Sequence, residues 1–131
     1  MITAHTIARF LLRKTSLNIL EIGGGIGTLQ VILNQILTNS NMILIDFKKN
    51  LEIQKHYISN SISNKNSFYF ISAEEFTEKL LPKKIEFDLV INTDSMQEMS
   101  KSQIEKYLCI IKKQLKKGRN FLLSESLFTR K

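Results

Sequence analysis

Short apolar runs alternate with amphipathic segments along the chain. The apolar runs are predicted to form buried strands at 17–22 (LNILEI), 42–46 (MILID), 68–72 (FYFIS), 87–93 (FDLVINT) and 120–126 (NFLLSES). The segments with apolar residues at helical spacing are predicted to form helices at 4–11, 29–37, 51–62, 73–81 and between Ser102 and Gly118. Such alternation of strand and helix is typical of a parallel sheet covered by helices on both faces.

Local signals predict where several of these helices begin and end. Asn50 is predicted to cap the helix at 51–62, and Pro82 to end the next one. Ser102 and Glu105 have the spacing of a capping box at the start of the last helix, which Gly118 is expected to end. The apolar stripes predicted to be buried are Leu29, Ile32, Leu33, Ile36 and Leu37 in one helix, and Ile104, Leu108, Ile111 and Leu115 in the last.

The composition fits one domain with one core. The chain has 131 residues, too few for two ordinary domains, and 43% of them are hydrophobic, so residues 1–131 are interpreted as a single domain. Lysine and arginine exceed aspartate and glutamate by 19 to 12, and the net charge of +7 permits an acidic partner. These cations do not form an unbroken tract, and five of them are predicted to face water late in the last helix. They are Lys112, Lys113, Lys116, Lys117 and Arg119.

Cysteine content and the lengths of the apolar runs indicate a cytoplasmic protein. Cys109 is the only cysteine, so it cannot form a disulfide within the chain, and its apolar surroundings (YLCII) predict a small core residue. No apolar run approaches the roughly 20 residues that cross a bilayer. Arg9 and Arg13 interrupt the apolar pattern near the N-terminus, so no signal peptide is predicted.

Four glycines within five positions separate the first strand from the next helix. Glycines at this place let the backbone turn tightly and let a ligand lie against bare peptide groups. As the dinucleotide motif G-x-G-x-x-G, the loop has Thr28 where the third glycine belongs. As E-x-G-x-G-x-G, it has the acid and three glycines in register. With the extra glycine, these residues are Glu21, Gly23, Gly24, Gly25 and Gly27. A glycine turn without a ligand is the third alternative, although four glycines weaken a fold unless a ligand needs the space.

The E-x-G-x-G-x-G pattern resembles that of the class I S-adenosylmethionine-dependent methyltransferases. The resemblance implies S-adenosylmethionine as cofactor and a three-layer, Rossmann-like, doubly wound α/β fold with a mostly parallel sheet. In such sheets, ligands bind at the carboxyl ends of the strands. Asp46 ends the second strand and is predicted to accept both hydroxyls of the adenosine ribose, with an ordinary turn aspartate as the alternative. Phe47 is predicted either to pack on the adenine or to belong to the core.

The ends of the third and fourth strands supply the remaining predicted cofactor residues. These methyltransferases commonly place an aspartate for the adenine amino group at the end of the third strand, and Ser72 stands in that place here. The adenine contact is therefore assigned to Glu74 or to backbone near Ala73. Asn92 ends the fourth strand and is predicted to line the same site.

Three segments resemble a narrower group, the sugar O-methyltransferases of bacterial polysaccharide clusters. They are ILEIGGGIGTL, LIDFKKNLEIQKHYIS and FDLVINTDSMQEMSKSQIEKYLCII. The positions that match the pattern of this group are Asp46, Leu51, Gln54, Tyr57, Asn92, Thr93, Ser95, Gln97, Glu98 and Met99. The resemblance implies a sugar or glycan-precursor substrate, whose hydroxyl attacks the sulfonium methyl in line.

A general base helps to remove the proton of the attacking hydroxyl. Glu98, just beyond the fourth strand, is the first candidate for this base and Asp94 is the second. The alternative, which stays open, is that both acids simply lie at a helix start, where negative charge is favoured. His56 is predicted to be a surface residue, His5 is given no role, and no metal site is predicted.

The chain departs from the pattern of this group at both ends. The resemblance implies an antiparallel hairpin after the fifth strand and a substantial N-terminal region, for which the chain has little room. The sequence therefore predicts a sheet truncated after its fifth strand. The exposed edge of that strand is predicted to offer a place for a second copy or a partner to pair.

Two other functions compete with sugar methylation. Methyltransferases that act on the amino groups of nucleic-acid bases usually have an N-P-P-Y-like segment after the fourth strand, where this chain has NTDSM. Nucleic acid is therefore not the expected substrate. The other alternative is a catalytically inert module that binds the cofactor or a protein partner.

Overall fold

The computed structural model describes residues 16–61, 65–76, 81, 85–92, 99–123 and 126–128. The strands are β1 (Asn18–Ile22), β2 (Asn41–Asp46), β3 (Ser67–Ser72), β4 (Phe87–Asn92), β5 (Leu115–Leu123) and β6 (Ser126–Phe128). The helices are α1 (Thr28–Ile36), α2 (Lys48–Ser61) and α3 (Lys101–Gln114). The strands form one sheet in the order β3-β2-β1-β4-β5-β6.

The sheet is parallel from β3 to β5, as predicted, and β6 alone pairs antiparallel. Its order reverses between β1 and β4, and this switch point is where doubly wound sheets bind ligands. The register aligns the carboxyl ends of the strands, because Ile22 pairs with both Ile45 and Asn92, and Asp46 pairs with Ser72. The predicted site residues at these ends therefore lie along one edge of the sheet.

Two apolar cores lie on opposite faces of the sheet, since alternate residues of a strand point to opposite sides. On one face, Ile19 of β1 packs with residues of α1 and α2, among them Leu33 and Ile58. On the other face, Leu20 packs with residues of α3, among them Ile111. The result is three layers, which confirms the predicted Rossmann-like α/β fold.

The predicted strands are confirmed, but the last one was placed too late. The strand β5 begins at Leu115, directly after α3, where its residue Leu115 pairs with Phe87 of β4. Gly118 therefore lies inside a strand and does not end a helix, so that prediction was wrong. The basic residues at 116, 117 and 119 also belong to this strand, and only Lys112 and Lys113 lie in the last turn of α3.

The structure has a short sixth strand, whereas the sequence predicted a sheet that ends at its fifth strand. Residues Ser126–Phe128 form β6, in which Ser126 pairs with Leu123 and Phe128 with Phe121. The edge of β5 is thus paired within the chain, whereas the sequence predicted that it would be exposed.

The start of α2 lies three residues before the predicted start. Asn50 is its third residue and not its cap, since the carbonyl of Phe47 already accepts from the amide of Leu51. The side chain of Asn50 instead donates to Asp46. The Asp46 carboxylate thus hydrogen-bonds with residues at the start of the helix, a contact that residue preferences alone do not indicate.

The start of α3 was also misplaced, because the sequence contains two overlapping capping frames. The hydroxyl of Ser100 accepts from the Gln103 amide, and the Gln103 side chain accepts from the Ser100 amide. The box predicted from Ser102 and Glu105 is two residues too late. Helix α3 buries Tyr107, Ile110 and Ile111.

Several side chains differ from their predicted burial. Leu108 is 43% and Ile32 is 40% exposed, although both were assigned to buried stripes. Cys109 is exposed, so its assignment to the core was wrong. Residues that flank these positions are buried, namely Val31, Leu33, Tyr107 and Ile110, so each apolar run continues from the buried side of its helix onto the outer side.

Other predictions fall partly or wholly outside the described residues. The helix predicted at 4–11 lies there entirely, as do Ile62, Pro82 and Thr93. Within the described part of the segment 73–81, residues 73–76 turn without forming a helix, so the start predicted for that helix was wrong. Across the described residues, no helix is long and apolar enough to cross a membrane.

Candidate functional site

The glycine loop leaves β1 in a conformation that side chains disfavour. Gly23, Gly25 and Gly27 have φ angles of 75°, 60° and 94°, in the left-handed region. The Gly23 amide donates to the carbonyl of Ile45 (2.8 Å), and this bond holds the start of the loop beside the end of β2. Gly27 is the N-cap of α1 and has no side chain to satisfy the first amides of the helix. The loop therefore presents bare backbone and a positive helix terminus.

The glycines serve two different purposes. A Cβ added at Gly25 would meet no atom within 4 Å, so this residue borders open space. A Cβ at Gly24 would lie 3.1 Å from Oε2 of Glu21, and one at Gly27 would lie 3.2 Å from two side-chain carbons of Ile58. Gly24 and Gly27 thus let the loop pack closely, whereas Gly25 leaves room for a ligand.

Asp46 lies beside this loop and is buried, with 7% of its surface exposed. Its Oδ1 accepts from the Phe47 amide (2.8 Å) and from Nδ2 of Asn50 (2.9 Å). Its Oδ2 accepts from Nε2 of Gln54 (2.9 Å). Since a carboxylate has about four acceptor positions, three of them are used and about one is left. This capacity fits one ribose hydroxyl better than the two that the sequence predicted.

Glu21 lies beneath the loop and not on its open side. It is 1% exposed and its Oε2 accepts from Nε2 of Gln30 (2.6 Å). Burial, together with a smaller effect of the negative charge of Asp46, raises the pKa of the Glu21 carboxyl from 4.5 to about 7, against the opposing effect of the Gln30 hydrogen bond. Glu21 therefore titrates near neutral pH inside the protein.

Replacing Glu21 by glutamine is expected to reduce the pH dependence of stability. Because the pKa of Glu21 is raised by folding, the folded protein holds a proton that the unfolded chain has lost between pH 4.5 and about 7. The stability of the wild-type protein should fall as pH rises through this interval. Thermal unfolding at about pH 5 and about pH 8 should show a wild-type midpoint several degrees lower at the higher pH, and a smaller difference for Glu21→Gln.

The same substitution at the exposed Glu52 is the control for this measurement. Glu52→Gln should keep the wild-type pH dependence. If the unfolding midpoints of wild type and Glu21→Gln changed equally between the two pH values, this titration could not be assigned to Glu21.

The end of β3 forms the other side of the candidate site. The Ala73 amide donates to the carbonyl of Asp46 (2.8 Å), and the Ser72 hydroxyl accepts from the Glu75 amide (3.3 Å). Glu74 is exposed, and its pKa is lowered first by a hydrogen bond from its own amide and further by the Ser72 hydroxyl. The Glu74 carboxylate is thus ionised and lies close to the end of β3, as its predicted role requires.

Two aromatic residues lie near these carboxylates. Phe47 is 47% exposed, so the alternative that it belongs to the core was wrong. Tyr107 of α3 was not predicted to take part. Its ring stacks on Phe76 (5.2 Å between centroids), and its pKa is raised by burial and by the charges of Glu74 and Asp46.

Two buried amides were given no role in the site from the sequence: Gln30 was not singled out, and Gln54 was named only as a position that matches the sugar O-methyltransferase pattern. Both side chains are fully buried, and each hydrogen-bonds to a carboxylate of the site. A signal was available for Gln54, which lies between the buried Leu51 and Ile58 on one face of α2. Polar residues within an apolar stripe are candidates for a polar network.

The structure brings most of the predicted cofactor residues together but does not describe the predicted bases. Asn92 is buried at the end of β4, in register with Ile22. Asp94 and Glu98 lie outside the described residues. The described part of the site therefore contains the residues predicted to bind the cofactor, and the roles of both acids stay predictions.

Comparisons with known proteins agree with this geometry. A family model described as "Lysine methyltransferase" matches residues 4–125. A search of curated proteins found no match.

Solved structures with a similar fold are methyltransferases of several kinds. PKMT2 from Rickettsia typhi in complex with AdoHcy is 20% identical, with a TM-score of 0.67 over 82% of this chain and 20% of that one. The O-methyltransferase TomG from Streptomyces achromogenes in complex with SAM is 21% identical, with a TM-score of 0.66 over 92% of this chain and 52% of that one. The glycopeptide N-methyltransferase MtfA complexed with sinefungin is 17% identical, with a TM-score of 0.68 over 92% and 47%.

The chain spans between a fifth and about half of the length of these structures. At these identities the likeness shows the fold, which is the Rossmann-like fold of methyltransferases. The proteins that share it are described as O- and N-methylating, so the fold leaves the acceptor open.

Proposed function

Since the chain belongs to the lysine methyltransferase family, whose cofactor is S-adenosylmethionine, we propose that it is the cofactor-binding core of a class I methyltransferase that acts on a sugar or another small hydroxylated acceptor. One observation carries the proposal. The open space at Gly25 lies beside a buried carboxylate, Asp46, to which Gly25 is joined through Gln54. A bare loop and an acid at neighbouring strand ends are what an amino-acid-bearing nucleoside requires.

The residues present fit such a ligand. The space at Gly25 and the positive end of α1 suit the carboxylate of the amino-acid part. The remaining acceptor position of Asp46 suits a ribose hydroxyl, and the exposed ring of Phe47 suits the adenine face. Glu74 and the backbone at Ala73 are proposed to contact the adenine amino group. Glu21 supports the loop from below and does not itself need to contact the ligand.

S-adenosylmethionine supplies an electrophilic methyl group when it is bound. The described residues contribute by fixing the position of that group, which is the main requirement of in-line displacement. A hydroxyl acceptor also needs a base, for which Glu98 and Asp94 are proposed as in the sequence interpretation.

The hydroxyl acceptor is supported by the sequence segments that resemble sugar O-methyltransferases. A lysine side chain is the second candidate, and the family description supports it. The two acceptors require different catalytic groups. A lysine amine attacks readily once its ammonium form has lost a proton, whereas a sugar hydroxyl needs a base in the transition state.

Calorimetry with S-adenosylhomocysteine tests the first part of the proposal. Binding in the micromolar range is expected, and NAD should give no heat. Heat with NAD but none with S-adenosylhomocysteine would contradict the assignment of the site. Transfer of labelled methyl from S-adenosylmethionine to sugars, nucleotide sugars and lysine peptides then tests the acceptor. Label in lysine peptides alone would favour the second candidate, and binding without any transfer would favour an inert module.

A further inference from the structure

Gln54 joins the two parts of the proposed site through a single amide group. Its Nε2 lies 2.9 Å from the carbonyl oxygen of Gly25 and 2.9 Å from Oδ2 of Asp46. An amide nitrogen has two hydrogens, so these two bonds use its full donor capacity. The orientation of the Gln54 amide is fixed as well, because the reversed orientation would place its oxygen against a carboxylate.

The side-chain oxygen of Gln54 indicates that this residue does more than stabilise the fold. Its Oε1 is buried and, among the described residues, has no hydrogen-bond partner. A buried amide oxygen without a partner is unfavourable, and a leucine on the same stripe of α2 would avoid that cost. The advantage of a glutamine at this position is that its nitrogen donates to both Gly25 and Asp46.

Few other contacts fix the Gly25 carbonyl and the Asp46 carboxylate relative to each other. Gly25 has no neighbour within 4 Å of an added Cβ and therefore little packing to fix its peptide group. Asp46 ends a different strand, where its Oδ1 is fixed by Phe47 and Asn50, and Gln54 alone holds Oδ2 among the described contacts.

We propose that Gln54 is a positioning residue for cofactor binding: its amide fixes the Gly25 peptide relative to the Asp46 carboxylate before the ligand arrives. This inference rests on the proposed function for the identity of the ligand. Such preorganisation lowers the cost of ordering the loop on binding, so its loss should weaken the affinity.

The first test compares one substitution at two positions. Gln54→Met keeps the length of the side chain and removes both hydrogen bonds, whereas Gln35→Met makes the same change at an exposed position of α1. Calorimetry with S-adenosylhomocysteine should show a loss of about five-fold for Gln54→Met, the equivalent of one ordinary intramolecular hydrogen bond, and little change for Gln35→Met. Equal affinities for Gln54→Met and wild type would overturn the proposal.

A double-substitution cycle separates positioning from general packing. NMR titration, which still measures weak binding, gives the affinities of Gln54→Met, Asp46→Ala and the variant with both changes. If Gln54 acts through Asp46, Gln54→Met should cost little further affinity once Asp46 is alanine. Losses that simply multiply would show independent roles and would overturn the proposal.

Spectra of the ligand-free proteins distinguish failure of this inference from failure of the proposed function. Gln54→Met should shift or broaden the backbone amide signals of Gly25 and Ile26, whereas Gln35→Met should not. If wild type binds no S-adenosylhomocysteine but these signals move, the coupling stands and the proposed ligand is wrong. Unmoved signals with normal binding would overturn the coupling alone. Should Gln54→Met not fold, Gln54→Glu keeps the shape, places a carboxylate against Asp46, and is expected to lose the same affinity.

Discussion

Replacing Gly27 by valine is expected to lower the free energy of unfolding by about 2 to 5 kcal/mol. Two causes add. The φ angle of 94° is left-handed, which costs a residue with a Cβ about 1 to 2 kcal/mol. The new Cβ would also lie 3.2 Å from two side-chain carbons of Ile58, which must move by a few tenths of an ångström, and 3.7 Å from Cα of Gln54, an ordinary contact. Overpacking of this kind costs about 1 to 3 kcal/mol.

The same substitution at Gly25 is the matched control. Gly25 also has a positive φ, but a Cβ there would meet nothing within 4 Å. Urea denaturation followed by circular dichroism should therefore give Gly25→Val only the backbone cost, about 1 to 2 kcal/mol. Equal losses for the two variants would show that contact with Ile58 is not the cause of the larger effect.

These two glycines also differ in what they should do to binding. Gly25→Val fills the proposed ligand space and should abolish most S-adenosylhomocysteine binding while it costs less stability. Gly27→Val should act mainly through the packing between the loop and α2. One motif in the sequence thus contains both a glycine that packs against α2 and a glycine that borders the proposed ligand space, which the pattern alone does not distinguish.

The strands could be predicted from the sequence because each is a short, local signal. The runs at 42–46 and 87–93 are apolar without interruption, and their strands β2 and β4 are buried almost throughout. Parallel strands covered on both faces require this composition. Alternation with helices and the handedness of the crossovers then restrict the possible strand orders, but the order itself was not predicted from the sequence.

The ends of the helices could not be predicted equally well, because distant contacts decide between local signals of similar strength. Two capping frames overlap in SKSQIE, and the structure uses Ser100 with Gln103. Gly118 is a good helix stop by itself, but pairing between β5 and β4 begins at Leu115 and excludes it from that role. Such pairing depends on residues almost 30 positions earlier in the chain, from Phe87 to Leu115.

The candidate site likewise has a part that the sequence predicts and a part that only the tertiary structure shows. The glycine loop and Asp46 were predicted, since the spacing of a motif and the end of a strand are visible in the sequence. The amides of Gln30 and Gln54 were not predicted to take part, because their importance depends on which carboxylate each helix face meets. The motif thus indicates where the proposed ligand binds, and the tertiary structure shows what holds the motif in place.

Replacing Asp46 by alanine is expected to weaken S-adenosylhomocysteine binding by about 1 to 3 kcal/mol, or roughly 5- to 150-fold, through the loss of a charged hydrogen bond. The carboxylate is the acceptor proposed for the ribose, and its loss also frees the amide of Gln54 that holds Gly25. Both parts of the site are therefore affected by one change. This dual effect is why the expected loss exceeds that of Gln54→Met.

Asp88→Ala is the matched control for this substitution. Asp88 is also a buried carboxylate in the sheet, 2% exposed, and its Oδ2 accepts from the Asn18 amide (2.9 Å). Asn18 and Asp88 lie at the starts of their strands, at the opposite end of the sheet from the glycine loop. Both variants should lose stability, because each leaves buried donors without an acceptor. Only Asp46→Ala should lose affinity in calorimetry, and an equal loss for Asp88→Ala would mean that weakened folding, and not the missing ribose contact, reduces binding.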